Sequence, residues 1–190
     1  MFGHKFNYSS IIKQLSLITL TLILFGFSSI KSDAATYTQT QTCTLNLQIT
    51  NWNRSCSLPK FNPSLGALQS VKFELSANIN STANVESRDM SATTVTTNVS
   101  ANITLQRPDN TTITVVLPAT TTNTNFTPYD GKTDYTGTSG AVLPNLLANQ
   151  TSTITSSLPS DLALFSGLGN IVTPVTASGL VPPQQQPYHN

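Results

Sequence analysis

Alternation of apolar and polar residues is the feature that most narrows what this chain can fold into. Val71, Phe73, Leu75, Ala77 and Ile79 take turns with Lys72, Glu74, Ser76 and Asn78. Side chains on an extended strand point to opposite faces in turn, so such a run buries one face and wets the other. Val95, Val99, Ala101, Ile103 and Leu105 share one parity, with Thr97 interrupting, and predict a second long strand. Leu45, Leu47 and Ile49 predict an earlier one, turned at Asn51-Trp52-Asn53 into a partner strand from Ser55 to Leu58. Cys43 and Cys56 lie on these two arms, where a hairpin brings them within bonding range.

Further along, Phe61 to Gly66 reads as a loop by its Asn-Pro and Gly. Asn80 to Asp89 predicts a short polar strand around Val85. Arg107-Pro108-Asp109-Asn110 turns the chain into Ile113, Val115 and Leu117, and Thr120 to Thr127 reads as an edge segment. A long loop is expected from Pro128 to about Pro144, then a strand over Leu146 to Ser157. Ser160 caps one helical turn through Phe165, ended by Gly167. Ile171, Thr173, Val175 and Ala177 form a last strand, which Pro174 assigns to an edge. Strands at this spacing, with polar turns and no long helix, predict an all-β fold: a single antiparallel β-sandwich, Ig-like or jelly-roll-like.

The N-terminus is built differently. Met1 to Lys13 carries His4, Lys5 and Lys13 with no acidic residue; LSLITLTLILFGFSSI follows from Leu15, and Ser32 and Ala34 are small residues before Ala35. A basic start, a short apolar centre and a small-residue exit predict a signal peptide, residues 1–34, cleaved between Ala34 and Ala35. An uncleaved anchor is the competing reading, but a span needs about 20 mainly apolar residues and Phe27-Ser28-Ser29 thins this run. Cleavage leaves a polar lead-in over 35–42, a domain over 43–179 and a tail over 180–190 whose prolines and glutamines read as disordered.

Export bears on the two cysteines, because an even count behind a leader points to a disulfide; two free buried thiols are the alternative. Charge bears on partners. Charged residues make up 9% of the chain, and taking Lys5, Lys13, Lys31 and Asp33 from nine basic and eight acidic residues leaves six and seven. Without clustered Lys and Arg there is no affinity for nucleic acid or anionic lipid.

Catalytic and binding groups are sparse. His4 and His189 are the only histidines, one in the leader and one in the tail, so a serine nucleophile inside the domain lacks a histidine base. Glu74 and Glu86 are the only glutamates and the one candidate glycosidase-like pair, although Glu74 alternates outward as ordinary solvated strand charge does. The expectation is a non-enzyme with no cofactor. Asp130 and Asp134, beside Gly131, are weak Ca²⁺ candidates, the competing reading being turn chemistry at Asp130-Gly131. Trp52, Tyr129 and Tyr135 are candidates for a sugar platform, although single aromatics more often serve the core. Asn80, Asn98, Asn102, Asn110, Asn125 and Asn149 each open an Asn-x-Ser/Thr triplet, a pattern that arises by chance in a chain this rich in Asn and Thr.

Three stretches carry a family resemblance: FNPSLGALQSVKFELSANI from Phe61, YDGKTDYTGTSG from Tyr129 and DLALFSGLGNIVTPVTASG from Asp161. In order and spacing they resemble the choice-of-anchor E domain of exported bacterial proteins, frequent in cyanobacteria, over about Cys43 to Gly179. The resemblance implies an extracellular location and a β fold, and no defined reaction. Members usually continue past the segment matching Gly179 into a further strand and a C-terminal anchor. Here Leu180 leads to VPPQQQPYHN, without an apolar span or basic end. The expectation is therefore a secreted chain or a truncated copy, structural or adhesive at a surface or matrix. Polysaccharide or protein is the expected partner, and carbohydrate or Ca²⁺ binding by the Tyr129 to Gly140 loop is the alternative function.

Overall fold

The structure, a computed structural model, describes residues 2–13 and 36–180. The apolar run from Leu15, the Ala34–Ala35 junction, and the tail after Leu180 with His189 lie outside the described residues. The fold is an all-β sandwich of two antiparallel sheets. One has the order β2(Thr36–Gln48)-β1(Phe2–Lys13)-β4(Ala67–Glu86)-β8(Gly140–Ser156). The other has the order β3(Trp52–Pro59)-β9(Asn170–Leu180)-β5(Thr93–Gln106)-β6(Thr112–Val116), with β7(Ala119–Phe126) also on β5. Among the described residues one α-helix, the short α1(Pro159–Phe165), joins β8 to β9.

The alternation in β4 and β5 produces the core. Val71, Phe73, Leu75, Ala77 and Ile79 are buried from β4, and Ala101, Ile103 and Leu105 from β5. Leu58, Phe61, Val116, Phe165 and Val175 belong to the same cluster. Where β6 meets β8 the sheets are joined by polar contacts instead. Thr114 and Ser152 share a hydroxyl hydrogen bond of 2.7 Å, and the Leu117 N–H donates to Gln150 Oε1 at 2.5 Å.

Several boundaries and faces differ from the sequence reading. The strand over 71–79 and the polar one near Val85 are one strand, β4, with its register to β8 shifted between Ser81 and Ala83. That irregularity lets β8 start at Gly140, so the expected loop to Pro144 is shorter; Pro144 is tolerated because β8 is an edge strand. The lead-in over 35–42 is largely strand, from Thr36. In β2 a register shift near Leu45 turns Leu47 and Ile49 outward, where they are exposed. In β6 a shift opposite Leu105 and Gln106 buries Ile113 and Val116, leaving Val115 and Leu117 exposed. Leu158, not Ser160, holds the N-cap position of the helix, without a side-chain cap bond, and Pro159 opens the first turn. β9 is a central strand despite Pro174. Its pairing with β5 begins only at Val175, so Pro174 has β3 alone alongside and no ladder bond is lost on the other side.

The largest departure concerns Cys43 and Cys56. β2 and β3 do not form a hairpin: β3 pairs with β9, and β2 belongs to the opposite sheet. The two cysteines form a disulfide between the sheets, with their Cα atoms 5.9 Å apart. Facing strands in a sandwich bury the same parity as paired strands do, so alternation alone does not tell the two arrangements apart. Closing the loop between these residues stabilises the fold by about 3 kcal/mol in the chain-entropy model. The double substitution Cys43→Ser/Cys56→Ser is expected to lower unfolding free energy by about that amount, read from denaturant curves extrapolated to water, with m rising as the uncrosslinked chain expands.

Candidate functional site

Two surfaces merit attention: the 129–140 loop and the outer face of β5 and β7. The loop is organised by one residue, Glu86, at the end of β4. Its Oε2 accepts the Tyr135 N–H at 2.7 Å and its Oε1 accepts the Ser139 hydroxyl at 2.7 Å. The Ser87 N–H donates to the Ser139 carbonyl at 2.8 Å, and Ser139 is fully buried. Gly140 follows because nothing larger fits. A Cβ there would lie 2.5 Å from Glu86 Oε2 and 2.6 Å from the Tyr135 carbonyl carbon. Gly140→Ala is therefore expected to displace Glu86 and release the loop at a cost of about 1–3 kcal/mol. Hydrogen exchange would then rise at Tyr135, whose amide Glu86 holds.

Asp130 and Asp134, the weak metal candidates, are both used in turns. Asp130 Oδ1 accepts the Lys132 N–H at 2.9 Å. Asp134 Oδ1 accepts the Thr136 hydroxyl at 2.8 Å and the Thr136 N–H at 3.0 Å. These two bonds, the hydroxyl first, hold the Asp134 carboxyl below the usual aspartate range. This is the short-range Asx chemistry that favours Asp in turns. Among the described residues no three His, Cys, Asp or Glu side chains cluster as a metal site requires.

The carboxylate pair is separated as well. Glu74 and Glu86 lie on the same strand, twelve residues apart, which at the rise of a β-strand is about 40 Å. Two carboxylates that flank one glycosidic bond stand roughly 5–9.5 Å apart. Glu74 forms a partly exposed ion pair with Lys72 at 3.7 Å. Nor do the aromatics make one platform: Trp52 packs against the core from β3, whereas Tyr129 donates to or accepts from Thr133 within the loop at 3.0 Å. Tyr135 is 39% exposed with φ at 59°.

The second surface was visible in the sequence only as abundance of Thr and Asn. On the outer face of β5 and β7 three cross-strand rungs repeat. Thr94 donates to Asn125 Oδ1 at 2.7 Å, Thr96 to Asn123 Oδ1 at 2.9 Å, and Thr121 to Asn98 Oδ1 at 2.7 Å. The register pairs these residues directly, so the rungs recur every second residue, about 6.8 Å along the strands. All six side chains are exposed and uncharged. Two of the triplet asparagines, Asn98 and Asn125, sit in this ladder. The alternation Thr94-x-Thr96-x-Asn98 opposite Thr121-x-Asn123-x-Asn125 is the signal that would have found it.

No helix among the described residues is long and apolar enough to cross a membrane. Comparison with family models, with curated proteins and with solved structures returns no match.

Proposed function

We propose that this chain is an exported β-sandwich module of the choice-of-anchor E type, structural or adhesive at a cell surface or in an extracellular matrix, and not an enzyme. The Asn/Thr ladder on β5 and β7 is the observation that carries this reading. It is a broad, uncharged, regularly spaced set of hydroxyls and amides whose groups are already ordered by one another, so little conformational entropy is lost when they meet a polar partner. The inter-sheet disulfide supports an oxidising compartment. Matrix polysaccharide or a hydroxyl-rich protein surface has the matching chemistry.

The test has two parts. Secreted protein should begin at Ala35; a start at Met1 would contradict export. Retention on cell-wall or matrix polysaccharide should fall when Thr94, Thr96 and Thr121 are all replaced by Lys, with thermal stability nearly unchanged because these sites are exposed. Equal retention of the variant would sink the adhesive role of the ladder. The alternative, sugar binding by the 129–140 loop, is favoured by the exposed Tyr135 ring. Tyr135→Ala would then abolish retention that the lysine variant keeps.

A further inference from the structure

Where β9 passes the end of β5, the outer face of the five-stranded sheet is notched. The ladder between β9 and β5 stops at Val175 opposite Leu105, and β5 then turns away through Arg107 to Asn110. Pro174, one residue earlier in β9, has β3 alongside on one flank only, and having no N–H it leaves no ladder donor unpaired on the other. The result is an open notch of about 410 Å³, lined by Asn53, Arg54 and Ser55 of β3, Pro174 of β9 and Asn110 of the turn. That volume lies within the range of small-molecule sites, roughly 300–1,000 Å³. We propose that this notch binds one pyranose unit of a neutral polysaccharide. The proposal rests on the polysaccharide-facing reading above and assigns the sugar a site apart from both the 129–140 loop and the ladder.

The backbone of the lining is fixed before any ligand arrives. Ser55 stands opposite Pro174, and Asn53 opposite Thr176, in one continuous ladder. Cys56 and Val175 are buried, so their neighbours Ser55 and Pro174 face outward. Asn110 is held on its turn from both sides. Its N–H donates to the Arg107 carbonyl at 2.9 Å, and its own carbonyl accepts Gln106 Nε2 at 2.9 Å. Its φ of 66° is one that asparagine adopts more readily than other non-glycine residues. Among the described residues, none donates to or accepts from the side chains of Asn53, Ser55 or Asn110. Two amides and a hydroxyl, carried on backbone that need not move, are thus open to a ligand.

These groups select the occupant. An amide offers both donors and an acceptor, and a hydroxyl does both, which matches adjacent sugar hydroxyls that donate and accept in turn. The Pro174 ring gives an apolar floor for the C–H face of a pyranose. No carboxylate lines the notch. Arg54 takes the opposite parity from Asn53 and Ser55, and its Nε donates to Gln48 Oε1 of β2, in the other sheet, at 3.1 Å. Of the charged residues in the turn, Arg107 is paired with Asp161 and Asp109 accepts the Thr111 N–H at 2.9 Å. An acidic sugar therefore gains nothing here over a neutral one. An extended peptide is ill served too, because Pro174 offers no N–H to a ladder. The path of a polymer continues from the notch. Asn102 and Thr104 share the outward parity of Thr94, Thr96 and Asn98 along β5, and Thr104 pairs with Thr176 of β9. A glycan with one ring in the notch can run along β5 over uncharged amides and hydroxyls to the ladder, about 34 Å from Thr104 to Thr94 at the rise of a strand.

The experiment follows the amide resonances of the purified protein during titration with hexasaccharides of glucose, of N-acetylglucosamine and of mannose. A hexasaccharide of galacturonic acid is the acidic comparison. Shifts are expected at Asn53, Ser55 and Asn110 with at least one neutral hexasaccharide, and weaker binding of the acidic one. The variant Asn53→Ala/Ser55→Ala/Asn110→Gly, in which glycine keeps the positive φ of the turn, should bind that neutral sugar at least about tenfold more weakly. Its thermal midpoint should stay nearly unchanged, because the three side chains are exposed. If this variant unfolds, Ser55→Lys, which fills the notch from an exposed strand position, replaces it with the same expectation. No shift at the three residues with any neutral hexasaccharide overturns the site. Equal binding by the variant does so as well, and so does tighter binding of the galacturonate. The wider reading is tested apart from this, by retention on matrix polysaccharide. Retention without shifts in the notch overturns the site and leaves adhesion standing. Shifts in the notch without retention support the site and remove adhesion.

Discussion

Replacing Asp161 by Ala is expected to destabilise the protein by about 3–5 kcal/mol, the cost of leaving one member of a buried ion pair without its partner. Asp161 is only 2% exposed, at the start of α1. Its Oδ1 accepts both Arg107 Nε at 2.8 Å and Nη2 at 2.7 Å, and its Oδ2 accepts the Ser156 hydroxyl at 2.5 Å. The Arg107 side chain is 22% exposed, so solvent screens the pair little. The contact joins three elements: the turn between β5 and β6, the end of β8, and α1. Two further substitutions separate the charge from the packing. Arg107→Ala should cost nearly as much, because it strands the buried carboxylate. The double change Arg107→Met/Asp161→Leu should recover a large part of the loss, since an apolar pair carries no desolvation cost. Urea titrations of the three variants at neutral pH measure this. A loss below about 1 kcal/mol for Asp161→Ala would mean the pair behaves as a surface ion pair.

What the chain revealed in advance follows from the range of the interaction involved. The alternation over Val71–Ile79 and Val95–Leu105 is local, and the structure buries most of those residues as read. Pairing is not local. Cys43 and Cys56 could be placed near one another, yet whether their strands share a sheet or face each other across it depends on β9, more than a hundred residues away. Parity shifts at Leu47 and Val115 come from register shifts in the ladders of β2 with β1 and of β6 with β5, which the alternation of a single strand does not show. Pro174 predicts an edge strand, yet β9 is central, because its ladder with β5 starts one residue later, at Val175. At the candidate site, Asp130 was legible as a turn residue beside Gly131, whereas the matching bonds of Asp134 to Thr136 emerge only in the structure. Glu86, which anchors the loop at a sequence distance of about fifty, carried no local sign of that role. The Asn/Thr ladder was written in the sequence as two alternating runs, but only their register makes them a surface.

Phe165→Ala should be as damaging as the loss of Asp161, about 3–5 kcal/mol, because it empties a site in which the ring is 1% exposed. Phe165 ends α1 and meets Phe73 of β4 edge to face, with ring centroids 5.0 Å apart. The backbone around it is bonded to the segment after β3. Phe61 N–H donates to the Phe165 carbonyl at 2.8 Å, and Gly167 N–H to the Phe61 carbonyl at 2.9 Å. The helix is thus held at its start by an ion pair and at its end by a ring in the core. With only seven residues, α1 has no stability of its own and forms only while docked. The two anchors consequently depend on the same docking event. Once either is gone and the helix lifts, the other has less left to lose. The double variant Asp161→Ala/Phe165→Ala should therefore cost less than the sum of the single variants, by about 0.5–3 kcal/mol of coupling. Strict additivity would show that the two ends of α1 are held independently, and that the helix stays in place when one of them is cut.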